Sequence, residues 1–153
     1  MRRILIGFAM IVVAFPAWAQ TRSENVTRCE GDDPDAAIEA CSTLLLTERE
    51  WANIGAFYNN RGEAYGKKGL YDQALADLNR ALAADPRDAA AYANRGIVYR
   101  RKGNYRNALD DENKAIALKP DFFEAYINRG AVYSDQGRYD LAIADETKAI
   151  GLS

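Results

Sequence analysis

The pentad YANRG at Tyr92–Gly96 stands between YNNRG at Tyr58–Gly62 and YINRG at Tyr126–Gly130, and successive copies start 34 residues apart. The same shift superimposes Tyr65, Tyr99 and Tyr133, then Gly69, Gly103 and Gly137, then Tyr71, Tyr105 and Tyr139. Ala74, Ala108 and Ala142 coincide as well, as do Asp77, Asp111 and Asp145, and Pro86 and Pro120 close the first two units. So many coincidences at one period mark a stacked repeat, in which each unit buries its apolar face against its neighbours.

Each unit reads as two helices. Apolar or aromatic residues recur at helical spacing from Ala56 to Tyr65, and Lys67-Lys68-Gly69 supplies a basic last turn and a glycine stop. Tyr71 to Ala84 forms the second helix, with Ala74, Leu75, Leu78, Ala81 and Leu82 on one face. Asp85-Pro86 ends it, because proline disfavours the helical conformation in the residue before it. The same grammar predicts helices near 89–102, 105–118, 123–136 and 139–151.

On these residues the chain resembles the tetratricopeptide repeat, a helix-turn-helix unit of 34 residues with the pattern W-x2-L-G-x2-Y…A-x3-F…P. Tyr58, Tyr92 and Tyr126 occupy the tryptophan slot, and Gly62, Gly96 and Gly130 the glycine. Tyr65, Tyr99 and Tyr133 match the following tyrosine, Ala74, Ala108 and Ala142 the alanine, and Pro86 and Pro120 the proline. The resemblance covers residues 55–153 and implies an all-α fold, a right-handed superhelical solenoid. Two slots depart from the pattern. The leucine slot holds Arg61, Arg95 and Arg129, and the later aromatic slot holds Leu78, Glu112 and Glu146.

The expected organisation is a leader over 1–19, an N-terminal segment over 20–54, and repeats over 55–88, 89–122 and 123–153, the last one short. Pro34 to Leu46 reads as a degenerate unit that keeps mainly its second helix, since Asp35-Ala36-Ala37-Ile38 resembles Asp72-Gln73-Ala74-Leu75. A bond from an extended segment near Cys29 to this helix would seal the N-terminal end of the array. At the other end, Ile143, Ala149, Ile150 and Leu152 are expected to be partly exposed, a surface for a homodimer or a site of fraying.

Composition narrows the function classes. The chain of 153 residues is 48% hydrophobic and 27% charged, carries a net charge of −2, and contains no histidine. A charge this small gives no electrostatic footprint for nucleic acid. Without histidine there is no Ser-His, Cys-His or zinc-histidine arrangement. Arg2 and Arg3, the apolar Ile4 to Phe15 and Ala17-Trp18-Ala19 together read as a secretory signal cleaved after Ala19. The apolar run is too short to cross roughly 30 Å of hydrocarbon, and an uncleaved anchor is the alternative. Cleavage leaves 18 basic against 22 acidic residues, a net of −4 in a periplasmic or secreted protein. In such a compartment Cys29 and Cys41 most simply pair, closing a loop worth roughly 3 kcal/mol in the chain-entropy model. Their spacing is not that of a redox-active C-x-x-C pair. Asn25 opens an N-V-T glycosylation triplet, a weak signal.

The recurring arginine has two readings. Glycine inside a helix costs about 1 kcal/mol relative to alanine, so Gly62, Gly96 and Gly130 imply close approach of the paired helix. Each arginine is followed sixteen residues later by an aspartate. This predicts a ladder of ion pairs, Arg61, Arg95 and Arg129 with Asp77, Asp111 and Asp145, within or between units. Glu112 and Glu146 are rival partners, and the alternative is that the arginines grip an anionic ligand.

From the resemblance, the first helices line a concave groove for an extended or helical partner segment. It would comprise Asn59, Glu63, Gly66 and Lys67 from the first unit and Ala93, Ile97, Arg100 and Arg101 from the second. The third would add Ile127, Ala131, Ser134 and Asp135. Family members that clamp a C-terminal carboxylate use lysines and asparagines. This chain keeps Asn60, Asn94 and Asn128 but has Asn59, Ala93 and Ile127 where a clamp lysine is expected. Lys67, Lys68, Arg100, Arg101 and Lys102 form a basic cluster that either complements helix dipoles or attracts an acidic partner. Most of the nine tyrosines fall in repeat slots and read as core. Carboxylates recur with the repeat instead of converging on a cleft, and no metal or cofactor site is read. The expected function is therefore a non-enzymatic protein-binding scaffold in the cell envelope, with assembly through the C-terminal edge as the alternative.

Overall fold

A computed structural model describes residues 17–47 and 53–153. Eight helices follow one another without a strand among the described residues: α1 (Ala17–Cys29), α2 (Pro34–Thr47), α3 (Ile54–Lys67), α4 (Tyr71–Ala84), α5 (Ala89–Arg101), α6 (Tyr105–Leu118), α7 (Phe123–Asp135) and α8 (Tyr139–Ile150). Helices α3 and α4, α5 and α6, and α7 and α8 pack as antiparallel pairs, and α2 on α3, α4 on α5 and α6 on α7 stack the pairs into a solenoid.

The turns explain the pairs. Gly69, Gly103 and Gly137 adopt φ of +76°, +75° and +74°, the left-handed conformation that closes a helix at low cost only for glycine. The next amide then bonds back over the last turn, Leu70 N to Tyr65 O at 2.9 Å, Asn104 to Tyr99 at 2.9 Å and Arg138 to Tyr133 at 2.8 Å. Between units, Asp85 and Lys119 are extended at ψ 97° and 89°, as residues preceding proline must be. Asp88 caps α5 by accepting from Ala91 N at 3.0 Å.

Close packing follows from the glycines in the first helices. A Cβ on Gly62 would stand 2.8 Å from Leu78 Cγ, and one on Gly96 would stand 2.5 Å from Glu112 Oε1. Small residues fill the core between them: Ala74, Ala81, Ala91, Ala108, Ala115 and Ala125 are fully buried.

The N-terminal region differs from the sequence expectation. Cys29 ends a helix, α1, which packs on α2, and does not lie in an extended segment. That helix carries none of the repeat's tyrosine or glycine markers. It is held instead by Val26 and Cys29 packing on Ala40, Cys41, Leu44 and Phe57. The sulfurs of Cys29 and Cys41 lie at bonding distance, 1.98 Å, inside this cluster. Helix α1 begins at Ala17, within the segment read as a leader, and residues 1–16 lie outside the described ones. At the far end Ile143 and Ile150 are exposed, but Ala149 is buried because it faces α7.

Candidate partner-binding groove

The groove is only as well defined as the helices that line it, and the repeated arginine ties each of them to second helices on either side. Arg95 Nε and Nη2 donate to Asp111 at 2.8 and 2.7 Å, while Nη1 donates to Asn79 Oδ1 at 2.7 Å. Arg129 repeats this with Asp145 at 2.8 and 2.7 Å and Asn113 at 2.6 Å. Arg61 does so with Asp77 at 2.6 and 3.0 Å, and with the Ser42 hydroxyl at 2.9 Å. The aspartate belongs to the arginine's own unit, and the third partner belongs to the second helix of the preceding unit. Each guanidinium thus binds two units at once.

Tyrosines flank these cations. Arg61 lies 5.7 and 5.8 Å from the Tyr58 and Tyr65 ring centres, and Arg95 lies 5.5 and 5.9 Å from Tyr92 and Tyr99. The hydrogen bond to the aspartate raises the Arg95 and Arg129 pKa values further despite partial burial. With Nε, Nη1 and Nη2 all engaged, these arginines do not display a free anion site. Neither Glu112 nor Glu146 is bonded to them.

The expected groove residues divide. Glu63, Gly66, Lys67, Ile97 and Arg101, together with Asn94 and Val98, line a shallow cleft between α3 and α5. Ile127 is 47% exposed on α7, and Ser134 and Asp135 are exposed near it, with Ala131 half-buried. Asn59 and Ala93 do not belong to the surface: they are 9% and 3% exposed. Asn59 Oδ1 accepts from Asn94 Nδ2 at 3.0 Å, which makes it part of a unit joint, and Ala93 packs with Ala115 and Ala125.

Most of the basic cluster is already neutralised. Lys67 pairs with Glu63 at 2.9 Å, Arg100 with Asp135 at 2.8 Å, and Lys102 with Asp72 at 2.6 Å; Lys68 pairs with Asp35. Three of these pairs link neighbouring units, so they serve stacking as well as the helix dipoles. Arg101 is the exposed cation left on the groove wall. The sequence reading missed the groove's other end, where Glu30, Gly31 and Asp32 of the α1–α2 turn meet Asn60 and Glu63. No local signal points to it, because α1 lacks the tyrosines and glycines that mark the repeats.

Comparison with known proteins places this architecture. Two tetratricopeptide repeat family models match residues 59–121 and 113–144, together more than half the chain. The chain belongs to the tetratricopeptide repeat family. The crystal structure of MamA is similar at 26% identity and a TM-score of 0.71, over 88% of this chain and 77% of that one. The second such domain of Spaghetti (RPAP3), bound to the HSP90 peptide SRMEEVD, is similar at 28% identity and a TM-score of 0.61, over 65% of this chain and 92% of that one. A curated relative, the FK506-binding protein-like protein of Rattus norvegicus, is 41% identical over 58 residues, 38% of this chain and 16% of the relative. The chain thus spans about a sixth of that relative's length.

Proposed function

We propose that this protein is a non-enzymatic interaction module that receives a segment of a partner polypeptide in the groove formed by α3, α5 and α7. The observation that carries this reading is the cleft of Glu63, Gly66, Lys67, Asn94, Ile97 and Arg101, on helices that bidentate ion pairs tie to the second helices of their pairs. A preorganised surface of this kind loses little entropy on binding, so the flexible partner bears the ordering cost. The likeness to a repeat domain bound to an acidic peptide supports a peptide ligand. Recognition here differs from a lysine clamp. Ile97 and Ile127 offer apolar contacts, and Arg101 offers one cation for a carboxylate.

The leader-like sequence and the Cys29–Cys41 contact support export to an oxidising compartment, with cleavage after Ala19, a disulfide, and three repeats capped by the α1–α2 pair. Photo-crosslinking from positions 97 and 127 in the exporting compartment tests the groove, with position 106 on the second-helix layer as control. Adducts should form from the two groove positions, and Arg101→Glu should remove them while the helical circular dichroism signal stays unchanged. Equal labelling from position 106 would reject the groove.

A further inference from the structure

The two intervals between the first helices share one register and are finished differently. Across the α5–α7 interval Arg100 donates from Nη1 to Asp135 Oδ2 at 2.8 Å, so a side chain from each helix spans the gap. The residues 34 places earlier, Gly66 and Arg101, hold the matching positions in the α3–α5 interval. Gly66 has no side chain to send across, and Arg101 is exposed with no carboxylate partner among the described residues. What remains between them is a cleft of about 130 Å³ with Ile97 and Val98 in its walls.

Size and charge define what fits this cleft. It is smaller than the roughly 300–1,000 Å³ of small-molecule sites, and it suits a single side chain. A Cβ on Gly66 would stand 3.2 Å from Val98 Cγ2, so an apolar surface lies directly beneath the place a side chain would take. Glu63 and Lys67 neutralise each other at 2.9 Å, which leaves the single charge of Arg101 to be balanced. One carboxylate matches it, whereas a phosphate carries about −1.5 to −2. In the internal pair the fixed acid Asp135 meets an incoming cation. Here the fixed group is the cation, so the incoming group is an acid. Asp135 also shows that a carboxylate is stable at this end of the helices, against their carbonyl dipoles, when a guanidinium holds it.

We propose that the α3–α5 cleft is a specificity subsite for a glutamate side chain inside the partner segment. Its methylenes lie on Ile97 and Val98 in the place left open by Gly66, and its carboxylate pairs with Arg101. An aspartate is too short to cover the apolar wall and reach the guanidinium together. The subsite rests on the groove reading above and adds to it the identity of one partner residue.

The test selects random dodecapeptides on the full chain, displayed on phage through their C-termini so that no terminal carboxylate is free. Selected peptides should share a glutamate. In fluorescence anisotropy with the amidated synthetic peptide, Glu→Gln at that place should weaken binding at least about tenfold, as loss of a charge-assisted hydrogen bond does. Arg101→Glu in the protein should weaken it similarly, and Glu→Arg in the peptide should restore binding to that variant. A merely structural role for Arg101 would give no such rescue. Arg101 is exposed, so the variant should fold, which circular dichroism checks. Peptides that lose binding on Ile127→Glu but show no glutamate preference, or no rescue by the charge swap, overturn the subsite and leave the groove reading standing. No selected peptide, or binding that Ile127→Glu leaves unchanged, overturns both.

Discussion

Glu112 and Glu146 are one residue type in one register of consecutive units, and they sit in opposite surroundings. Glu146 is solvated, whereas Glu112 is sealed under α7 with its carboxyl against the α-carbon of Gly96. Burial is the main reason its pKa is pushed up to about 9, and neighbouring Asp111 adds to it. Asn128, Arg129 and Arg100 pull the other way without prevailing, and neither carboxyl oxygen closes a hydrogen bond of good geometry. The folded protein therefore holds a proton that the unfolded chain releases near the ordinary glutamate value of 4.5. Its stabilising contribution is complete below that value and declines, by about 1.4 kcal/mol per pH unit, until about pH 9. Urea midpoints should fall over this range, and Glu112→Gln should flatten the dependence. Glu112→Leu restores the Leu78 arrangement and should stabilise by roughly 1–3 kcal/mol at neutral pH, while Glu146→Leu should change little. None of this is legible in the sequence, because both glutamates fall in the same slot. The difference arises from whether a neighbouring helix covers it.

For elements, the sequence is informative where the period is intact. Helices α4 and α6 occupy the expected spans, and α3, α5, α7 and α8 fall within a few residues of theirs, because glycine and proline mark the ends physically. Gly103→Ala should cost about 1 kcal/mol or more, read as a lowered thermal midpoint, because alanine resists φ of +75°. Helix α1 escaped notice because its cause is tertiary: no local marker announces it, and only packing on Cys41, Leu44 and Phe57 holds it. The sixteen-residue offset of arginine and aspartate is readable in the chain, but the third partner is not, since Asn79 and Asn113 become neighbours only after units stack. Arg95→Ala should cost roughly 2–3 kcal/mol by chemical denaturation. That is less than the 3–5 kcal/mol of a fully buried pair, because 20% of the Arg95 side chain remains solvated. Arg95→Lys should recover only part of the loss, since an ammonium cannot span the same three acceptors. If the disulfide forms, alkylation of the unfolded, unreduced protein should label neither cysteine.

On the scale of the whole molecule, stability is distributed along a line of nearest-neighbour joints. Among the described residues the central helix pairs have two joints and the α7–α8 pair has one. Amide hydrogen exchange should therefore be slowest in α5 and α6 and fastest in α8. Uniform protection along the array would contradict this. Each arginine also gives the line a direction: the guanidinium clasps its own aspartate and then reaches back to the helix before it, never forward. Under tension the chain should behave as a ratchet of latches released in order. Pulled by its ends in an optical trap, it should lengthen in discrete steps beginning with the α7–α8 pair. Arg129→Ala should lower the force of that first step while leaving later steps unchanged.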